Sequence, residues 1–232
     1  MHFSIYLDIE TLPTSRPDIV ERLTADVSPP ANYKSEEAIA KWWAEKGQQA
    51  KDEAVATTAL NGTWGEVLAI GIAVNERDPV VLMRGDAFPT ERELIEHWAL
   101  TVESEIRGAC RYESEMIGWD NRAEWIGHNI EDFDLRFIRQ RACINGVRLP
   151  FKLPLDRYPR GPHRFDTMKE WGGWNGRVKQ TDLELAFGLT RSDTITGADV
   201  WQMWKEGKLA LIHNHCREDV RLLREIHLRM VA

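Results

Sequence analysis

At 232 residues the chain can bury a sizeable core as one large domain or two small ones, and its 43% hydrophobic content is ordinary for a globular protein. No apolar run approaches the roughly 20 residues of a membrane-spanning helix, so no membrane association is expected. The net charge of −7 argues at first sight against a nucleic-acid partner, and three widely spaced cysteines (Cys110, Cys143, Cys216) without a CxxC pair argue against a disulfide framework or a zinc site.

The chain opens on Phe3-Ser4-Ile5-Tyr6-Leu7-Asp8-Ile9-Glu10-Thr11, a strand with two carboxylates at i and i+2. Side chains at that spacing leave the same face of an extended backbone, so Asp8 and Glu10 stand side by side. Two such anions repel each other unless a cation, a shared proton or solvent relieves them, and Mg²⁺ or Mn²⁺ are suitable cations. For this stretch alone, a solvated strand end capping a turn is the alternative. No basic n-region or apolar h-region precedes the strand, so no secretory signal is expected and the expected location is cytoplasmic. Pro13 to Pro30 reads as a connection with a short amphipathic piece at Ile19–Leu23. Ser35 caps a helix that carries Glu36 and Glu37 in its first turn and runs to about Leu60. Its apolar side holds Ala38, Ile39, Trp42, Trp43, Ala54, Val55 and Thr58. The whole reads as a helical insertion, about residues 24–62, over one edge of a sheet.

Glu66–Val74 and Val80–Arg84 read as two strands whose short connection makes an antiparallel hairpin. Thr90 caps a helix to about Arg107, with Leu94, Ile95, Trp98 and Val102 on one face. Residues 108–121 read as a loop. Glu124–His128 is a short strand, followed by Asn129-Ile130-Glu131-Asp132-Phe133-Asp134-Leu135-Arg136-Phe137-Ile138 entering a helix that Asn145-Gly146 ends. That order sets Asp134 near the carboxyl end of a strand, where α/β sheets build their sites.

From Arg136 to Arg191 there are 12 Lys/Arg against 5 Asp/Glu, leaving 18 basic and 32 acidic residues elsewhere. A basic segment in an acidic chain suits a focused polyanion site, and equally a solvated surface. Within it, Arg160, His163, Arg164, Trp171, Trp174, Arg177 and Lys179 suit stacking and phosphate contacts with a single strand, or a Trp-rich loop packed on itself. A short strand is expected at Arg164-Phe165, with Asp166 capping the next helix. Thr181 or Asp182 caps another helix, which Gly188 ends, and Asp199–Glu206 forms a further one. The last helix spans about Leu209 to Arg229, with Leu211, Ile212, Val220, Leu222, Leu223 and Ile226 toward the core. It carries His213, His215 and Asp219. His215 and Asp219 share a face one turn apart, and such a pair alone is more often a surface salt bridge.

An Asp-x-Glu strand end, a strand–HNxxxFD–helix unit and a terminal HxxxD, in that order, resemble the DEDD superfamily of 3′–5′ exonucleases. The resemblance spans Asp8 to Asp219. GHNIEDFDLRFI is similar to the second motif of the proofreading domains of family B DNA polymerases and of related stand-alone phage and prophage exonucleases. It implies a single exonuclease domain over 1–232 with the α/β ribonuclease H-like fold: a mixed five-stranded sheet, helices on both faces and a helical insertion after the first strand. It further implies two divalent cations, Mg²⁺ or Mn²⁺, held by Asp8, Glu10, Asp134 and Asp219, and a nucleic-acid substrate, DNA or RNA, with a single-stranded or frayed 3′ end. Thr11, Leu12, Asn129, Phe133 and Asp166 become substrate-side candidates. Helix capping explains Asp166 equally well, and core packing explains Phe133. The motif departs from the family at the base. Tyr-type members carry Tyr four residues before the third Asp, and His-type members carry His five before it. Here His215 stands at the Tyr spacing and Asn214 at the His spacing. Its reference pKa of about 6.5, against about 10 for Tyr, suits a general base near neutral pH, with His213 as the second choice. The rivals are a non-catalytic nucleic-acid-binding or interaction module of the same fold, and an endonuclease of that fold.

Overall fold

The computed structural model describes residues 2–155, 163–173 and 175–232. In chain order, β1 (Phe3–Leu12) leads to α1 (Pro17–Ala25) and α2 (Glu36–Ala56), then to β2 (Glu66–Val74), β3 (Val80–Met83) and α3 (Glu91–Ala109). β4 (Ala123–Gly127) leads into α4 (Asp134–Ile144), and β5 (Arg164–Asp166) into α5 (Thr167–Gly172). The chain closes with α6 (Gln180–Ala186), α7 (Gly197–Lys205) and α8 (Leu209–Met230).

The five strands form one mixed sheet in the order β3-β2-β1-β4-β5. β1, β2 and β3 pair antiparallel, whereas β4 runs parallel to β1 and β5 parallel to β4. Alternation along β1 divides its side chains between two layers. Phe3, Ile5, Leu7 and Ile9 join a core with Leu94, Trp98 and Val102 of α3 and Leu135 and Ile138 of α4. Tyr6 turns the other way, to Ala73, Ile126 and Val220 and Leu223 of α8. Helices therefore cover both faces, and Asp8 and Glu10 share the alternation of Tyr6.

Several local expectations are corrected. Residues 17–25 are a full helix, because Pro17 sits in its first turn and Ile19 is buried. The helix expected to reach Leu60 ends at Ala56 and tightens into a 3₁₀ turn, Thr57–Leu60. Residues 108–121 contain two further 3₁₀ turns, Glu113–Met116 and Trp119–Arg122. The N-cap of α6 is Lys179, neither Thr181 nor Asp182. Leu211 and Trp43, both placed on core-facing sides, are 49% and 38% exposed. Among the described residues no helix is long and apolar enough to cross a membrane.

Candidate metal centre

β1 outruns its pairing with β4, which ends at Tyr6 opposite Ile126, so Asp8 and Glu10 stand beyond it toward the carboxyl end. A bulge interrupts the β1–β2 register between Glu10 and Thr11 and re-aims the strand beside the second acid. Opposite Asp8 on β2 is Gly71. A Cβ there would lie 2.8 Å from Val220 Cγ2 and 2.9 Å from Cys216 Sγ, both on α8. Only glycine lets the helix approach the sheet this closely, and the approach brings His215 and Asp219 over the end of β1. Asp134, the first residue of α4, enters from the other flank, with the Ile9 backbone N–H against its carboxylate.

The distances are short. His215 Nε2 lies 3.6 Å from Glu10 Oε1 and 3.2 Å from Asp219 Oδ2. Ligand atoms of Glu10, His215 and Asp219 all lie within 4.8 Å of one another. His215 Nδ1 lies 3.2 Å from Asp193 Oδ1. Glu10, Asp134 and His215 are buried, whereas Asp8 and Asp219 keep a partly exposed edge.

Burial is the main cause of the acids' abnormal protonation. It pushes Asp8 and Glu10 well above the carboxylate range, and the charges of Asp219 and Asp134 push both further. Burial raises Asp134 to about 7. Asp219 is also raised by burial, against the opposing charges of His215 and Arg191. Glu10 and Asp219 with His215 offer ligand atoms within reach of one ion, and the electrostatically coupled Asp8 and Asp134 add two more carboxyls, a donor set that fits hard divalent cations.

The remaining sequence candidates fall into place individually. Asn129 adopts a left-handed φ of 63°, which Asn tolerates, and its N–H donates to Asp166 Oδ1 at 3.0 Å. Asp166 also accepts from the N–H groups of Glu131 (3.2 Å), Met168 (3.1 Å) and Lys169 (3.3 Å). Its carboxylate caps α5 and pins the β4–α4 turn, the capping role expected for it, and its charge acts on Asp134. Leu12 is buried with Leu68, Val200, Met203 and Ile212. Thr11 Oγ1 donates to the Ala59 carbonyl at 2.7 Å, and Phe133 packs on Phe137 and the core. Both nitrogens of His128 are engaged, by Thr167 Oγ1 (2.9 Å) and the Val178 carbonyl (2.8 Å). His213, two residues before His215, points about 200° around the helix and makes no contact with the acids among the described residues. Asp132, expected to be solvated, is exposed and pairs with Lys169 at 2.9 Å. Arg164 pairs with Glu131 at 3.0 Å and its side chain is largely buried. Arg160 and Trp174 lie outside the described residues.

Four residues around Asp219 and His215 were not singled out by sequence: Gln180, Glu184, Arg191 and Asp193. They sit in α6 and the α6–α7 loop, where neither periodicity nor a motif marks them.

No protein-family model matches the chain, and no curated protein does. A solved structure of the family B DNA polymerase from the hyperthermophilic archaeon Pyrobaculum calidifontis does match. It has a TM-score of 0.57 and 13% identity, covering all of this chain and 25% of that one. The chain thus spans about a quarter of the polymerase it matches. At this identity the likeness concerns the fold, an α/β fold of the ribonuclease H-like kind with a mixed five-stranded sheet.

Proposed function

We propose that the chain is a single-domain, metal-dependent 3′–5′ exonuclease that hydrolyses phosphodiester bonds at the 3′ end of single-stranded or frayed nucleic acid. The observation that carries the reading is the meeting of Glu10 and Asp219, from β1 and α8, at the Nε2 of His215, with Asp8 and Asp134 near enough for their charges to act on the same acids. The polymerase neighbour supports a nucleic-acid partner. Two divalent cations, Mg²⁺ or Mn²⁺, would be held by the four acids and would supply phosphate charge neutralisation and a more acidic water.

The protein's own groups do the rest. Asp193 beside Nδ1 would hold a proton there, so that Nε2 is the nitrogen free to accept one once cations neutralise the acids it faces. His215 then orients a water and takes its proton as the water oxygen attacks phosphorus. The bond from phosphorus to the preceding nucleotide's 3′ oxygen breaks, that oxygen takes a proton from solvent to become the new 3′-hydroxyl, and a nucleoside 5′-monophosphate leaves. Asn129 and Phe133, on the turn before Asp134, and Thr11 at the bulge are the candidates for contacts to the terminal nucleotide.

End-labelled DNA and RNA, single- and double-stranded, incubated with Mg²⁺ or Mn²⁺ test this directly. A 5′-labelled strand should shorten one nucleotide at a time. Cleavage of a circular strand would replace the reading with an endonuclease, and binding without any release would leave a binding module.

A further inference from the structure

Arg191 belongs to none of the motifs and takes no part in the proposed proton transfer, yet it grips Asp219. Its Nε donates to Glu184 Oε2 at 2.9 Å, and its Nη2 donates both to Glu184 Oε1 at 2.5 Å and to Asp219 Oδ1. Gln180 Nε2 bridges the same carboxylates, 3.1 Å from Glu184 Oε1 and 3.3 Å from Asp219 Oδ1. One oxygen of Asp219 is therefore committed, and the other, Oδ2, is the one beside His215.

Charge explains the third member. An arginine alone at this place would repel a divalent cation held by Asp219. Glu184, only 3% exposed, cancels that charge while leaving the donor geometry intact. The planar fork matters too: a lysine ammonium is a point charge and lacks the fixed fork that meets Glu184 through two nitrogens while reaching Asp219. Arg191 Nη1 is buried without a hydrogen-bond partner and lies 3.9 Å from Asp193 Oδ1, so the same side chain also faces the carboxylate that holds His215.

We propose that Arg191, neutralised by Glu184, is a positioning residue that fixes Asp219 as a one-oxygen ligand and raises the centre's affinity for divalent cations. The inference rests on the metal-centre reading above and concerns residues that this reading leaves unused. Fixing a ligand in advance removes the rotamer freedom it would otherwise lose on binding, and outer partners of this type typically change metal affinity about 10–100-fold.

Mn²⁺ binding followed by electron paramagnetic resonance, without nucleic acid, separates this role from catalysis. The double variant Arg191→Met/Glu184→Gln replaces the pair by neutral side chains of similar size and leaves no orphaned partner charge from the pair. Its Mn²⁺ dissociation constant should rise about 10–100-fold. Gln180→Ala, a milder change that reads the same bridge if the double variant does not fold, should weaken binding several-fold. In both, the Mn²⁺ concentration for half-maximal activity should rise in parallel while KM for the strand stays put. Unchanged or tighter Mn²⁺ binding in a folded variant overturns the proposal, and tighter binding would mean that Arg191 merely repels the cation. Wild type that binds Mn²⁺ but releases no nucleotide would remove the exonuclease reading and leave this role standing. Wild type that binds none would remove both.

Discussion

His215 is a histidine with its two nitrogens assigned to different neighbours. Nδ1 faces Asp193, and Nε2 faces the pair Glu10 and Asp219. Loss of a positioned base costs about 10²–10⁴-fold in turnover. His215→Ala should therefore lower kcat in that range while Mn²⁺ affinity stays within a few-fold of wild type; near-full activity would point to a different base. Asp134 makes a second prediction. Its carboxyl is raised to about 7 by burial, against about 4 in an unfolded chain. The stability it contributes is complete below about pH 4 and is lost as pH rises through about 7, where the folded protein must ionise a buried acid. In EDTA, Asp134→Asn should melt above wild type at pH 8, with the gap shrinking at pH 5. An equal gap at both pH values would contradict the assignment. The four acids were picked out in the sequence by the order of three motifs that carries the family resemblance; periodicity gave only the strand ends and helix faces on which they sit. Arg191 and Asp193 were not, since they lie in an aperiodic loop and meet their partners 28 and 22 residues away.

At the scale of elements, the site depends on how low α8 rides over the sheet. Gly71 sets that height, with Val220 and Cys216 seated where a side chain would be. Gly71→Val should cost about 1–3 kcal/mol in urea unfolding through overpacking. It should reduce nucleotide release by more than the unfolded fraction explains, because His215 and Asp219 move away from Asp8 and Glu10. A destabilised but fully active variant would show that helix height is unimportant. Sequence periodicity located β1, the β2–β3 hairpin, α3 and α8, whose apolar positions repeat clearly. It missed α1, a nine-residue helix announced only by a proline, and it misplaced the start of α6. It named capping as one role of Asp166, and four backbone donors surround its carboxylate.

At the scale of the whole molecule, the basic segment of an acidic chain divides into two groups. Arg141 is buried against Glu91 at 2.6 Å, Arg164 and Lys169 hold Glu131, and Arg191 holds Glu184, so part of the local positive balance is internal. Arg136, Arg139, Arg177 and Lys179 are exposed. Neutralising these four should weaken single-strand binding and flatten the slope of log K against log salt by about 0.7 for each lost phosphate contact. An unchanged slope would remove the basic face from the account. The central claim, that the acids at the end of β1 hold catalytic cations, has its most direct test in Asp8→Ala. Release of mononucleotides from a 3′-labelled single strand should depend on Mg²⁺ or Mn²⁺ in wild type and be abolished in the variant, with the fold retained by circular dichroism. Metal-dependent release that survives in a folded Asp8→Ala protein would contradict it.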